Sequence, residues 1–195
     1  MAVTLERHLI DVDTYHRMID AGILTEDDRV ELINGEIISM SPLGKLHKAV
    51  VNRINKLLNS KVDKQAIVSI QNSILIPDHS EPEPDIALLK YREDFYASQH
   101  AQPQDVLLII EVAHTTWNTD YEVKRPLYAT AGIAELWLVN VNQHEIEVHR
   151  NPARGTYKSI EILQSGDEVR LPVPGLEVNV SVDDLLGPPS SDKSQ

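Results

Sequence analysis

The chain of 195 residues carries 30 acidic against 18 basic side chains, a formal net charge of −12, with 42% apolar residues and no cysteine. This composition belongs to one globular domain with a sizeable core, and it excludes disulfides, thiolate metal sites and cysteine nucleophiles. The negative charge opposes nucleic-acid binding by bulk electrostatics, so nucleic-acid chemistry would need local basic groups, a metal or a partner.

Asp13 to Ala21 reads as a short helix with Asp13 as N-cap, Gly22 as its stop, and Tyr15, Met18 and Ile19 as its buried edge. Val30 to Ile33 and Glu36 to Met40 flank Asn34-Gly35, a strong hairpin signal that places Glu31 in the first strand. Leu43 to Ser60 spaces Leu46, Val50, Ile54, Leu57 and Leu58 as a helix does. Lys45, Lys48, Arg53, Lys56 and Lys61 make the main basic patch there, and His47 stands near the start of the helix.

Strands are expected over Ala66 to Ser69, Asn72 to Ile76 and Asp85 to Leu89, the last entered through Glu81-Pro-Glu-Pro. Lys90 to Asp105 reads as a loop with one helical turn around Arg92 to Ala97. Val106 to Ala113 is the strongest strand. Asp120 is expected to cap a helix running to Ala131, distorted by Pro126 and closed by Gly132.

Glu135 to Asn140 and Glu145 to His149 form the next strand pair, with Glu145, Glu147 and His149 on a solvated face. Short strands at Tyr157 to Leu163, Val169 to Leu171 and Leu176 to Val180 precede a helix over Val182 to Leu186. The domain expected is 1–186, with 187–195 as a disordered tail. The start of the chain lacks a signal-peptide core and no apolar run reaches roughly 18 residues, so the expected location is the cytoplasm, with no membrane partner.

Two carboxylates stand out because they border or interrupt apolar strands: Asp85 and Glu111. An ionised carboxylate removed from water costs several kcal/mol, so Glu111 must be paired, protonated or bound to a metal. One reading is a pair of oxygen ligands for Mg²⁺ or Mn²⁺; the other is a structural ion pair with a lysine or arginine. Lys124 either pairs with Asp120, four residues away on a helix, or points toward the two acidic strand ends. Glu31, His47, His114 and Asp120 are accessory candidates; a strand glutamate like Glu31 usually faces solvent, a histidine like His47 is usually a capping or surface group, and His114 is either a phosphate contact or a bystander. Phosphate-loop, dinucleotide, serine-hydrolase and zinc-protease motifs are all absent.

Taken together, Val30-Glu-Leu-Ile-Asn-Gly-Glu36, Met40-Ser-Pro42, His47, Glu83-Pro-Asp85-Ile-Ala, Ile110-Glu-Val112, Asp120 to Lys124, Tyr128-Ala-Thr-Ala-Gly132 and Glu135-Leu-Trp-Leu-Val139 form a recognisable order. It resembles the PD-(D/E)XK nuclease superfamily and, within it, the Uma-type family of restriction endonucleases, over roughly Asp13 to Arg150.

The resemblance implies an α+β fold: a mixed central β-sheet flanked by helices, a restriction-endonuclease-like core, and here an added β-rich C-terminal part. It implies that Asp85, Glu111 and the Val112 carbonyl hold a divalent metal, with Glu31 and His47 facing the same cleft. The superfamily's lysine two residues after the acid is replaced by Ala113, and the Uma-type pattern moves that role to Lys124. The expected activity is Mg²⁺- or Mn²⁺-dependent hydrolysis of DNA phosphodiester bonds. The alternative is a catalytically silent nuclease-fold module for binding or assembly, and the strands after Glu135 are a candidate homodimer surface.

Overall fold

A computed structural model describes residues 7–188; of the tail expected over 187–195, positions 189–195 lie outside the described residues. The first helix, α1, spans Val12–Asp20 and is capped by Asp11 rather than Asp13: the Asp11 carboxylate accepts a hydrogen bond from the Thr14 backbone N–H at 2.8 Å. A cap side chain reaches the third N–H of its helix, and from Asp11 that is Thr14. The shift turns the buried edge to Val12 and Tyr15, leaving Met18 half-buried and Ile19 45% exposed.

Strands β1 (Val30–Ile33) and β2 (Glu36–Ser39) form the expected hairpin. Its turn residues Asn34 and Gly35 take φ of 50° and 80°, the consecutive left-handed pair that a two-residue hairpin turn needs. Helix α2 (Lys45–Val62) buries His47, Val50, Val51, Ile54, Leu58 and Val62, while Leu46 is 48% exposed.

Strand β3 spans Ala66–Ile70, but the strand expected over Asn72 to Ile76 is reduced to isolated bridges at Ile74 and Ile76. Strands β4 (Ile86–Lys90) and β5 (Val106–Ala113) follow. The loop between them turns without a helix at Arg92 to Ala97: Phe95 and Tyr96 sit at positive φ, and the Asp94 carboxylate accepts from Arg92 and Ser98 instead.

Every residue of β5 is buried, because both faces of the sheet are covered. Leu108, Ile110 and Val112 pack with α2, whereas Ile109 joins Leu127, Tyr128 and Ile133 on the opposite face. A strand alternates its side chains, so Glu111 falls on the second face, where Tyr128 meets it.

The chain then crosses over through α3 (Trp117–Thr119), a π-helical turn at Asp120–Lys124 and α4 (Arg125–Thr130) into β6 (Glu135–Asn140), parallel to β5. Asp120 therefore caps nothing; it lies within a continuous helical run. Pro126 has no N–H to give, and it sits in the first turn of α4, where none is required. Immediately before it the ladder widens, and the Arg125 N–H donates to the Asp120 carbonyl.

Strands β7 (Glu145–Ala153) and β8 (Thr156–Leu163) complete a six-stranded sheet ordered β3-β4-β5-β6-β7-β8, mixed because only β5 and β6 run parallel. The solvated face expected at Glu145, Glu147 and His149 is not solvated at its end. His149 is fully buried, edge-on to Tyr121 and Tyr157, because the crossover covers that face. Burial pushes its imidazole down to about 4, with Arg125 adding to the effect.

The C-terminal part pairs β9 (Glu168–Arg170) with β10 (Asn179–Ser181) and ends in α5 (Val182–Leu186), packing Val169, Leu171, Val180, Val182 and Leu185 into the α2 side of the core. This is the α+β architecture expected. No described helix is long and apolar enough to cross a membrane.

Candidate active site

The antiparallel register of β4 and β5 pairs Ile86 with Ile110, which brings Asp85 opposite Glu111 at the sheet's end. Each carboxylate is held by the other strand's backbone. The Val112 N–H donates to Asp85 Oδ2 at 2.9 Å, and the Asp85 N–H donates to Glu111 Oε2 at 3.3 Å. Two acids that would otherwise repel are thus locked side by side.

The crossover helix delivers Lys124 to the same place. Its Nζ lies 3.1 Å from Glu31 Oε2 and 3.4 Å from Glu111 Oε1, and donates to the Glu83 carbonyl at 3.4 Å. The simple Asp120–Lys124 pair is not formed. Asp120 instead accepts from Thr116 Oγ1 at 2.7 Å.

Glu31 is 4% exposed, so the surface reading of this strand residue fails. Its Oε2 also accepts from the Glu83 N–H at 3.0 Å, tying the hairpin to the segment that leads into Asp85. His47 is buried against both acids' strands. Its Nδ1 is 2.8 Å from the Val112 carbonyl, and its Nε2 stands 3.0 Å from Asp85 Oδ1 but off the line of a hydrogen bond. The Val112 carbonyl named from the sequence thus already has a partner, although a carbonyl keeps a second lone pair. Tyr128, quoted from the sequence as a family landmark but given no role in the site, donates its hydroxyl to Glu111 Oε1 at 2.7 Å.

These groups line a cleft of about 120 Å³ bounded by Glu31, Met40, His47, Glu83, Asp85, Glu111, Thr116, Asp120 and Lys124. His114 is not among its lining residues; its carbonyl accepts from Asn142 outside it. Glu83 and Thr116 are additions, and the alternation Glu81, Glu83, Asp85 was the one signal that marked Glu83 in advance.

Enclosure dominates the electrostatics. Burial pushes the Glu111 carboxyl up to about 8; Lys124 and Tyr128 pull it back, while Asp120 and Asp85 push it further. Burial likewise raises Asp120 to about 6, against the downward pull of Thr116 and Lys124. Glu83 is raised by burial and by Glu31.

Burial pulls the Lys124 ammonium down, but Glu111, Glu31 and Asp120 outweigh it and hold the group above its ordinary value. Lys124 shares three carboxylates and so stays charged whichever of them is neutral, whereas Glu111 is fully enclosed and takes the upward shift. His47 is pulled down by burial and raised more strongly by Asp85 and the Val112 carbonyl, for a net rise.

The sheet end thus carries two backbone-clamped carboxylates and a buried lysine, on a mixed sheet with a helical crossover. One solved structure, described as a putative nuclease belonging to DUF820 from Anabaena variabilis ATCC 29413, shares this fold with a TM-score of 0.66. The match covers 91% of this chain and 97% of that one at 20% identity. Residues 12–181 match the Uma2 family, described as putative restriction endonucleases, and the chain belongs to that family. No curated protein matches it.

Proposed function

We propose that the chain is a metal-dependent endonuclease that hydrolyses DNA phosphodiester bonds in the Asp85–Glu111 cleft. The observation that carries this reading is the clamped carboxylate pair with a charged lysine 3.4 Å from Glu111. The donors present fit a hard divalent cation: two carboxylates and a carbonyl, all oxygen, as Mg²⁺ and Mn²⁺ prefer. The upward shift of Glu111 to about 8 marks a carboxylate whose ionised form lacks enough positive charge around it, which a cation would provide.

Asp85, Glu111 and Val112 O would hold Mg²⁺ or Mn²⁺, which supplies Lewis-acid stabilisation of charge building on a phosphoryl oxygen. The rest is done by the chain's own residues. Lys124, kept protonated by its three acidic neighbours, acts as a fixed donor that orients water or phosphate oxygen rather than as a base. Asp120, raised to about 6 and lining the cleft, is the group suited to accept a proton near neutrality. Glu31 positions Lys124, and His47 fixes Asp85 against Val112.

For a polyanionic substrate, Lys45 and Lys48 are the basic residues of α2 nearest the cleft, because they flank His47 and are exposed. Lys61 lies fourteen residues beyond His47, roughly 20 Å along the helix, too far to serve the same phosphate. Incubation of purified protein with supercoiled plasmid and Mg²⁺ or Mn²⁺ is the test. Nicking that disappears in Asp85→Asn and Glu111→Gln supports the site. Nicking that survives both removes it, and a folded, metal-binding protein without nicking leaves the silent-module alternative.

A further inference from the structure

Away from that cleft, His16 on α1, Glu81 on the approach to β4 and His100 in the loop before β5 converge. His16 Nε2 lies 2.5 Å from Glu81 Oε2, and His100 Nδ1 lies 3.8 Å from Glu81 Oε1. One ligand atom from each of the three lies within 4.8 Å of the other two. The imidazoles stack, with centroids 5.4 Å apart and planes inclined by 30°.

We propose that His16, Glu81 and His100 form a second metal site, for Zn²⁺ or a similar imidazole-seeking transition ion, distinct from the oxygen site at Asp85 and Glu111. Two imidazoles with one carboxylate are a borderline-soft donor set that Mg²⁺ does not favour and Zn²⁺ does. Tetrahedral ligation at about 2.0–2.2 Å puts neighbouring ligand atoms roughly 3.3–3.6 Å apart. The two histidine–Glu81 pairs, 2.5 Å to Oε2 and 3.8 Å to Oε1, lie on either side of that spacing, and side-chain rotation is needed to bring all three donors to it.

The carboxylate is built to be held still. Glu81 is 6% exposed, its Oε1 accepts from Ser73 Oγ at 2.7 Å, and its N–H donates to the Leu32 carbonyl at 2.7 Å. A ligand oriented by an outer hydrogen bond is the usual support of a metal site. The histidines are half-buried and exposed, so an ion can enter from solvent and a water can take the fourth position.

The three ligands come from segments far apart in the chain, so an ion there would cross-link α1 and the 91–101 loop to the start of Glu81-Pro-Glu-Pro-Asp85. That rigid run ends at the other cleft. The second site is thus a clamp on the segment that presents Asp85, and its existence does not depend on what the first cleft does.

The experiment uses full-length protein freed of any affinity tag and titrates Zn²⁺ by calorimetry in excess Mg²⁺, comparing wild type, His16→Asn and His100→Asn. One equivalent of Zn²⁺ is expected for wild type, with at least a tenfold loss of affinity in each histidine variant and no loss in Asp85→Asn. Both histidines are accessible enough that these variants fold, and circular dichroism verifies it; Co²⁺ substitution adds a visible absorption band that each variant should lose. Zn²⁺ binding unchanged in both histidine variants, binding lost in Asp85→Asn alone, or no binding by wild type would each overturn the proposal. None of these readouts requires nuclease activity, so failure of the plasmid test leaves this result standing.

Discussion

Glu111→Gln should make the chain's stability less sensitive to pH, with the sign set by the direction of the Glu111 shift. Burial holds the folded carboxyl up at about 8, against about 4.5 for an ordinary glutamate. Between those values the folded chain therefore holds a proton that the unfolded chain has lost. Stability falls as pH rises through such a window, by at most about 1.4 kcal/mol per pH unit. From pH 6 to pH 8 this amounts to roughly 3 kcal/mol as a ceiling, reduced to the extent that Lys124 and Asp120 readjust.

Glutamine cannot ionise but keeps the shape and an acceptor for Tyr128, so the variant should lose this slope. Urea unfolding in chelator at pH 6 and pH 8 measures it: wild type should weaken by about 2–3 kcal/mol more than Glu111→Gln. Repeating the pH 8 measurement with Mg²⁺ should restore stability to wild type and not to the variant, because only the ionised carboxylate binds a cation well. Parallel pH slopes for the two proteins would refute the claim that Glu111 is the enclosed, up-shifted group.

Lys124→Met removes the cation from Glu31 and Glu111, and breaking a buried pair in this way costs about 3–5 kcal/mol. The loss should be smaller at pH 6, where Glu111 is protonated, than at pH 9, where it is ionised, and denaturant titration at those two pH values checks this. Gly35→Ala places a Cβ at φ of 80° and 2.7 Å from Leu9 Cβ, so it should destabilise by about 1–3 kcal/mol, read as a lowered denaturation midpoint. The plasmid and Zn²⁺ experiments complete the set.

What the residues determined on their own was the strongest of the local signals of chemistry and period. Asn34-Gly35 made the hairpin because Asn and Gly enter the left-handed turn cheaply, and Val106 to Ala113 made a buried strand because all of it but Glu111 is apolar. Asp85 and Glu111 stood out in the sequence on similar grounds, being acids placed where acids are costly.

The tertiary structure alone decided the partners. Whether Lys124 reached Asp120 or Glu111 was decided by where the crossover sets its helix against β5 and the hairpin, a placement that the distortion expected at Pro126 could not give, and whether His149 met water turned on a crossover packing over its strand. Glu31, Tyr128 and the His16–Glu81–His100 cluster are of the same kind. Charge pairing depends on distances of a few ångströms between segments far apart in sequence. Those distances are fixed by sheet register and helix packing, which sum over the whole chain.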